Sequence, residues 1–121
     1  MKILHFEDNA IKQFEVAKQF PANSVVDHVY NLSDGLVRLP GDYDLIVTDM
    51  WYPEYPGGKD NESGKVLINY IKEHNIAIPV IVVSSVDYKY DVFGNVHYDK
   101  NEDWEEELRN LLRKFTNSAR H

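Results

Sequence analysis

Five side chains with reactive or ion-binding groups lie at the ends of short apolar runs of the sequence. Glu7 and Asp8 follow "KILHF", Asp49 follows "DLIVT", Ser84 ends "IPVIVVS", and Lys100 follows "NVHYD". Three carboxylates brought close together repel one another, so they favour a hard divalent cation with oxygen ligands, such as Mg²⁺. A hydroxyl and an ammonium on the far side of Asp49 could hold the oxygens of a phosphoryl group. The set therefore suits phosphoryl transfer, with Asp49 as nucleophile.

These side chains can meet only if the apolar runs are neighbouring strands of one sheet. Runs at 2–6, 24–30, 44–48, 78–84 and 95–99 predict strands, and the patterns at 9–20, 33–39, 64–74 and 103–115 predict helices. Strands that alternate with helices indicate a parallel sheet covered on both faces. The uninterrupted apolar character of the third and fourth strands agrees with this. Ligands bind such sheets beyond the carboxyl ends of the strands, where the five side chains fall.

Two stretches of the chain depart from the regular alternation. The segment between Ser84 and Asn95 has no clean apolar period and little room for a helix, and 52–64 is a long polar loop. The first helix has Ile11, Phe14, Ala17 and Phe20 at helical spacing, which indicates its apolar face.

Composition limits the classes of function. A chain of 121 residues with 43% hydrophobic and 27% charged residues fits one soluble globular domain, predicted here to span residues 1–121 without an output domain. The net charge of −7 argues against binding to nucleic acid or an anionic membrane. The absence of cysteine excludes disulfides and thiolate metal sites. Acids near the start exclude a signal peptide, and the sequence predicts a cytoplasmic protein.

Taken in order, these motifs resemble the receiver domain of two-component response regulators over nearly the whole chain. "ILHFEDN" is similar to the first strand and acidic pair of that family, "YDLIVTDMWYPEYPG" to its phosphoacceptor segment, and "IPVIVVSS" to its fourth strand. The resemblance implies a doubly wound α/β fold of the flavodoxin-like type. Its five-stranded parallel sheet would have the order 2-1-3-4-5.

The resemblance also implies a metal site and a phosphoacceptor. Asp49 would accept the phosphoryl group. Mg²⁺ would be held directly by Asp8, Asp49 and the backbone carbonyl of Trp51, and Glu7 would contribute through water.

Further roles are implied for residues around the acceptor. Lys100 and Ser84 would stabilise the phosphoryl group, and Ser84 and His97 would form the conformational switch. Trp51 and Val86 occupy the positions that control access of hydrolytic water, and their apolar character predicts a slowly hydrolysed aspartyl phosphate.

The sequence departs from the family pattern mainly after the fourth strand. Only fifteen residues separate Ser84 from Lys100, so the fourth helix is predicted to be truncated or missing. His97 stands at the usual aromatic switch position, and Asn101 follows Lys100 where the family usually has proline. The loop after Asp49 is also longer than usual.

The leading interpretation is a phosphoacceptor switch. Asp49 would take a phosphoryl group, in a Mg²⁺-dependent reaction, from the phosphohistidine of a histidine kinase or phosphotransfer protein, and a downstream protein would read the change. The chain would be no enzyme beyond its own phosphorylation and dephosphorylation, and a homodimer is left open.

Three other functions compete with this interpretation. A pseudo-receiver would bind partners without phosphorylation, and the shortened segment and His97 motivate it. A haloacid-dehalogenase-type phosphatase needs a second Asp two residues after the nucleophile, where this chain has Trp51. A metal-dependent nuclease conflicts with the net negative charge.

Overall fold

The computed structural model of the chain describes residues 1–119, and the side chains of residues 1–117. Five strands form a parallel sheet: β1 (Lys2–Phe6), β2 (Val25–Val29), β3 (Leu45–Thr48), β6 (Val80–Ser84) and β7 (Gly94–His97). Two shorter strands, β4 (Tyr52–Pro53) and β5 (Asp60–Asn61), pair as an antiparallel ribbon. The helices in the described part of the chain are α1 (Ala10–Ala17), α2 (Leu32–Leu36), α3 (Ser63–Glu73) and α4 (Trp104–Ala119). None of these helices is long and apolar enough to cross a bilayer.

The predicted fold is confirmed. The spatial order of the parallel sheet is β2-β1-β3-β6-β7, which is 2-1-3-4-5 when its strands are numbered among themselves. Residues 85–93, between β6 and β7, form bends and no helix, so the expected truncation or loss of the fourth helix is also confirmed. The ribbon was not predicted, because the residues that form it lie in the polar stretch 52–64, which carries no strand period.

Each face of the sheet buries its own apolar cluster. Strand residues Leu4, Phe6 and Ile46 face α2 and α3, whose Leu32 and Leu67 complete that cluster. On the opposite face, strand residues pack against α1 and α4. The buried members there are Ile3, Val16, Leu45, Val47, Ile81, Val83, Val96, Trp104, Leu108, Leu112 and Phe115. The alternation of faces along β1 and β3 follows from the two-residue period of a strand.

Helix α1 does not bury the face that its apolar residues indicate. Ile11 and Phe14 are 72% and 65% exposed, whereas Lys12 and Val16 are 8% and 1% exposed. The helix begins after Asn9, whose side-chain oxygen accepts the N–H of Lys12, and it ends at Ala17. Lys12 and Val16 are four residues apart and therefore share one face. The orientation of α1 thus brings a lysine to the sheet.

Gly64 allows α3 to start directly against the segment that follows β3. A Cβ on Gly64 would lie 2.5 Å from the backbone oxygen of Asp49 and 2.7 Å from Cα of Met50. The N–H of Gly64 donates to the carbonyl of Met50 at 3.1 Å, which holds the two segments together.

Replacing Gly64 with alanine should therefore destabilise the fold, because backbone atoms cannot move aside as a flexible side chain can. We expect Gly64→Ala to lower the free energy of unfolding by about 2 kcal/mol or more, despite the better helix propensity of alanine. Urea unfolding measures this. The matched control, Lys65→Ala, alters the exposed neighbour on the same helix and should stay within about 0.5 kcal/mol of the wild type. Equal stability of the two variants would contradict the close packing.

Candidate functional site

Glu7, Asp8 and Asp49 form one cluster at the carboxyl end of the sheet. Phe6 of β1 pairs with Thr48 of β3, so the residues that follow the two strands lie side by side. One carboxylate oxygen of each acid lies within 4.8 Å of the others. The three acids open into a cavity of about 580 Å³. The sequence prediction that these acids converge agrees with this placement.

The cation at this cluster is Lys12, which the sequence analysis did not single out. Its Nζ lies 3.1 Å from Oδ1 of Asp49 and 3.3 Å from Oε1 of Glu7. It also donates to the backbone oxygen of Val83 at 2.9 Å. The ammonium therefore bridges β1, β3 and β6 from its position on α1.

The ring of Tyr98 contacts Lys12, and the side chain of Glu15 in turn holds Tyr98. Nζ of Lys12 lies 5.0 Å from the centre of the Tyr98 ring, within the range of a cation–π contact. The hydroxyl of Tyr98 donates to Oε2 of Glu15 at 2.5 Å. Glu15 lies three residues after Lys12 on α1, and Tyr98 is the residue that follows β7. The bond therefore ties the helix to the end of that strand.

Burial and neighbouring like charges raise the pKa values of two acids in the cluster. Burial of Glu7 raises the pKa of its carboxyl to about 7, against the opposing charge of Lys12. Burial also raises the pKa of Asp8 to about 6, and a hydrogen bond with the carboxyl of Asp60 adds to the shift. The β4–β5 ribbon carries Asp60 to this cavity. A divalent cation would relieve the same repulsion.

Hydrogen bonds fix the segment that presents Asp49. The N–H of Asp49 donates to the carbonyl of Phe6 at 3.1 Å, and Oδ1 of Asp49 accepts the N–H of Met50 at 2.7 Å. The hydroxyl of Thr48 donates to the Asp49 carbonyl at 2.6 Å. The hydroxyl of Ser63 donates to the carbonyl of Tyr52 at 2.5 Å. The carboxylate is therefore set in position before any ligand binds.

Lys100 does not join the cluster. Asp99 starts a turn, in which its side chain accepts the N–H of Asn101 at 2.8 Å and its carbonyl accepts the N–H of Glu102 at 2.9 Å. Lys100 lies within this turn and is exposed. It forms no ion pair within 4 Å among residues 1–117. Tyr98 lines the cavity, and Lys100 is not among the residues that line it.

The other predicted residues differ in how deeply they are buried. Ser84 is 1% exposed, and its hydroxyl accepts the N–H of Val86 at 3.1 Å. Ser85, the next residue, lines the cavity. Trp51 also lines the cavity, and both Trp51 and Val86 expose almost half of their surface, 45% and 47%.

His97 connects the end of β7 to the segment after β6. Its Nε2 lies 3.1 Å from the carbonyl of Ser85, and its Nδ1 lies 3.0 Å from Oε2 of Glu102. Both ring nitrogens thus face acceptors, which suits the doubly protonated imidazolium. Burial alone would lower the pKa of His97, but the Ser85 carbonyl and the Glu102 carboxylate outweigh it and raise the pKa above its ordinary value.

The cluster fits a hard divalent cation. Carboxylate oxygens are the donors that Mg²⁺ takes in proteins, and Glu7, Asp8 and Asp49 offer them at one point. Lys12 contacts Glu7 and Asp49. No described contact of Lys12 involves Asp8, one of the residues predicted to hold the ion directly.

Comparison with known proteins identifies the fold. The response regulatory domain of MrkE from Klebsiella pneumoniae matches 98% of this chain and 97% of its own, with TM-score 0.75 and 19% identity. The Francisella response regulator 1452 receiver domain matches 97% of this chain and 98% of its own, with TM-score 0.70 and 19% identity. The chain therefore has the fold of response-regulator receiver domains, as the resemblance implied.

A longer protein has the same fold in one part. RcsB from Salmonella enterica serovar Typhimurium, bound to promoter rprA in the presence of the phosphomimetic BeF₃⁻, matches 98% of this chain with TM-score 0.74 and 21% identity. The chain spans 62% of the length of that RcsB chain. No family model matches the sequence, and no curated protein matches it.

The contacts of His97 predict its titration. Because both acceptors favour the protonated ring, the bridge contributes stability below the ordinary pKa of 6.5 and is lost as the pH rises through the higher folded value. We expect the His97 ring protons to titrate with a midpoint above 6.5, and the Ser85 and Val86 amides to shift with them in NMR spectra. Glu102→Gln should lower the midpoint, whereas Glu105→Gln, which removes a nearby charge from the same helix start, should not. A midpoint at or below the ordinary value would contradict the bridge.

Proposed function

We propose that this chain is a phosphoacceptor switch of a two-component or phosphorelay system and that Asp49 is its acceptor. The observation that carries the proposal is the convergence of Glu7, Asp8 and Asp49 within 4.8 Å at the end of a sheet with the receiver fold. The ammonium of Lys12, which contacts the acceptor carboxylate directly, completes the charge arrangement.

The chemistry is a transfer of one phosphoryl group. A carboxylate oxygen of Asp49 attacks the phosphorus of a phosphohistidine, the P–N bond breaks, and the imidazole leaves with the electron pair and takes up a proton. Asp8, Asp49 and the backbone carbonyl of Trp51 would hold Mg²⁺, and Glu7 would contribute through water. When bound, Mg²⁺ supplies positive charge that neutralises phosphoryl oxygens. The protein itself positions the acceptor carboxylate for the attack.

The donor would be a histidine kinase or a phosphotransfer protein, and a separate protein would read the product. The chain would catalyse only its own phosphorylation and dephosphorylation. We place it in the cytoplasm, where such donors act. These assignments follow from the proposed chemistry together with the fold.

Ser84 and His97 are proposed to transmit the change. A Ser84 hydroxyl that moved to donate to a phosphoryl oxygen on Asp49 would move away from the Val86 N–H, from which it now accepts a hydrogen bond at 3.1 Å. Because His97 contacts the carbonyl of the next residue, Ser85, a shift there reaches the end of β7. The segment 84–95 would therefore move on phosphorylation.

Phosphorylation of Asp49 is tested with a small donor. We expect acetyl phosphate and Mg²⁺ to add one phosphoryl group to the wild type, measured by intact mass, and none to Asp49→Asn. Omitting Mg²⁺ should also abolish the adduct, because the acids then repel the donor. Asp44→Asn, at the opposite end of the same strand, is the matched control and should be modified like the wild type. An adduct on Asp49→Asn would place the acceptor elsewhere, and no adduct or BeF₃⁻ binding on the wild type would favour a phosphorylation-independent interaction module.

The lifetime of the product depends on water access. Trp51 lines the cavity that holds Asp49, and Val86 is a half-exposed apolar residue two positions after Ser84, so the aspartyl phosphate should hydrolyse slowly. We expect Trp51→Asn to shorten its half-life several-fold, because a polar side chain admits and orients water. Tyr55→Asn replaces an exposed aromatic of the same loop and should leave the half-life unchanged. Equal half-lives of the wild type and Trp51→Asn, followed by mass after removal of donor, would contradict this role.

A further inference from the structure

We propose that Lys12 on α1 is the residue that binds the phosphoryl oxygens at Asp49, in place of Lys100. The proposal rests on the proposed function and names a residue of that same site. It replaces the expectation, drawn from the family resemblance, that Lys100, which follows the fifth strand of the sheet, binds these oxygens.

The position of the ammonium carries the proposal. Nζ of Lys12 is 3.1 Å from Oδ1 of Asp49, so it already lies at hydrogen-bond distance from the acceptor carboxylate. An ammonium has three donors, and those of Lys12 face Asp49, Glu7 and the carbonyl of Val83. Once Asp49 carries a phosphoryl group, the negative charge moves outward onto the phosphoryl oxygens. The donor that faces Asp49 can then turn to one of them.

Lys100 lies outside the cavity that holds Asp49. It is exposed in the turn that starts at Asp99, whereas Tyr98 lines the cavity. No described contact joins Lys100 to Asp49, whereas the ammonium of Lys12 already contacts that carboxylate.

The surroundings of Lys12 are those of a preorganised group. The Tyr98 ring contacts its ammonium, and Glu15 fixes the Tyr98 hydroxyl from the next turn of α1. The side chain is 10% exposed, so its charge acts in a medium with little water. Fixed charges in such surroundings stabilise developing charge more strongly than mobile ones in water.

A purely structural lysine would make the same contacts in the free protein, so the test must separate the two roles. Lys12→Met keeps the length of the stem and removes the charge. Removal of a cation beside Glu7 and Asp49 should leave the affinity for Mg²⁺ alone unchanged or stronger. The rate of phosphorylation by acetyl phosphate and the affinity for Mg²⁺ with BeF₃⁻ should each fall by roughly a hundredfold. Lys100→Met is the matched control and should leave all three quantities at wild-type values.

Several outcomes decide the proposal. A folded Lys12→Met that is phosphorylated at the wild-type rate overturns it, as does a comparable loss in Lys100→Met. A wild type that neither accepts a phosphoryl group nor binds BeF₃⁻ overturns the proposed function and this inference with it. Thermal unfolding monitors the fold of each variant.

A measurement on the wild type covers the case in which Lys12→Met does not fold. The lysine Cε–H signals, assigned in NMR spectra, are followed as Mg²⁺ and BeF₃⁻ are added. We expect the largest change at Lys12 and little change at Lys100. The reverse order would overturn the proposal without any substitution in the site.

Discussion

The structure depends above all on how it tolerates like charges buried at one end of the sheet. Glu7 is 1% exposed, and it shares its surroundings with Asp8 and Asp49. A buried carboxylate without a partner takes up a proton rather than remain charged. Lys12 is the partner of Glu7 and Asp49, while Asp8 interacts with Asp60. The pairing leaves Asp8 as the acid whose charge a divalent ion would balance.

This electrostatic requirement explains the unusual orientation of α1. Burial of Ile11 and Phe14 would gain apolar contact, yet both side chains are exposed while Lys12 is buried. Removing one partner from a buried ion pair leaves an uncompensated charge, which costs about 3–5 kcal/mol. Burying both apolar side chains would gain about 3–6 kcal/mol, at roughly 1.5–3 kcal/mol each, so the two terms are similar in size. The bond between Tyr98 and Glu15 and the bond from Lys12 to the Val83 carbonyl add to the charged contact and favour the observed orientation.

The sequence predicts the sheet and its acids well because each depends on local pattern. Continuous apolar runs mark the strands, and Asp49 could be assigned to the edge because it directly follows such a run. Lys12 could not be predicted, since its burial depends on charges contributed by distant parts of the chain. Asp60 could not be predicted because it lies in a polar loop. Its pairing with Pro53 leaves no periodic pattern in the sequence. Lys100 was expected at the site from the order of the motifs, whereas it is exposed in the turn that Asp99 begins, and no local pattern of the sequence shows that turn.

The short link between β6 and β7 gives the site a direct connection to the surface. With bends in place of a helix at 85–93, the chain leaves Ser84 and returns to β7 without an intervening packed element. Asn95 holds the middle of this link, since its side chain both accepts from and donates to the backbone of Tyr90. Few hydrogen bonds hold the first residues of the link: the Val86 N–H donates to the Ser84 hydroxyl, the His97 ring contacts the Ser85 carbonyl, and the Tyr88 N–H donates to the Val86 carbonyl. A change at Ser84 thus needs to disturb few bonds before it reaches exposed backbone. In this fold the output surface would be a loop beside the acceptor, and its response would be set by hydrogen bonds rather than by the movement of a helix.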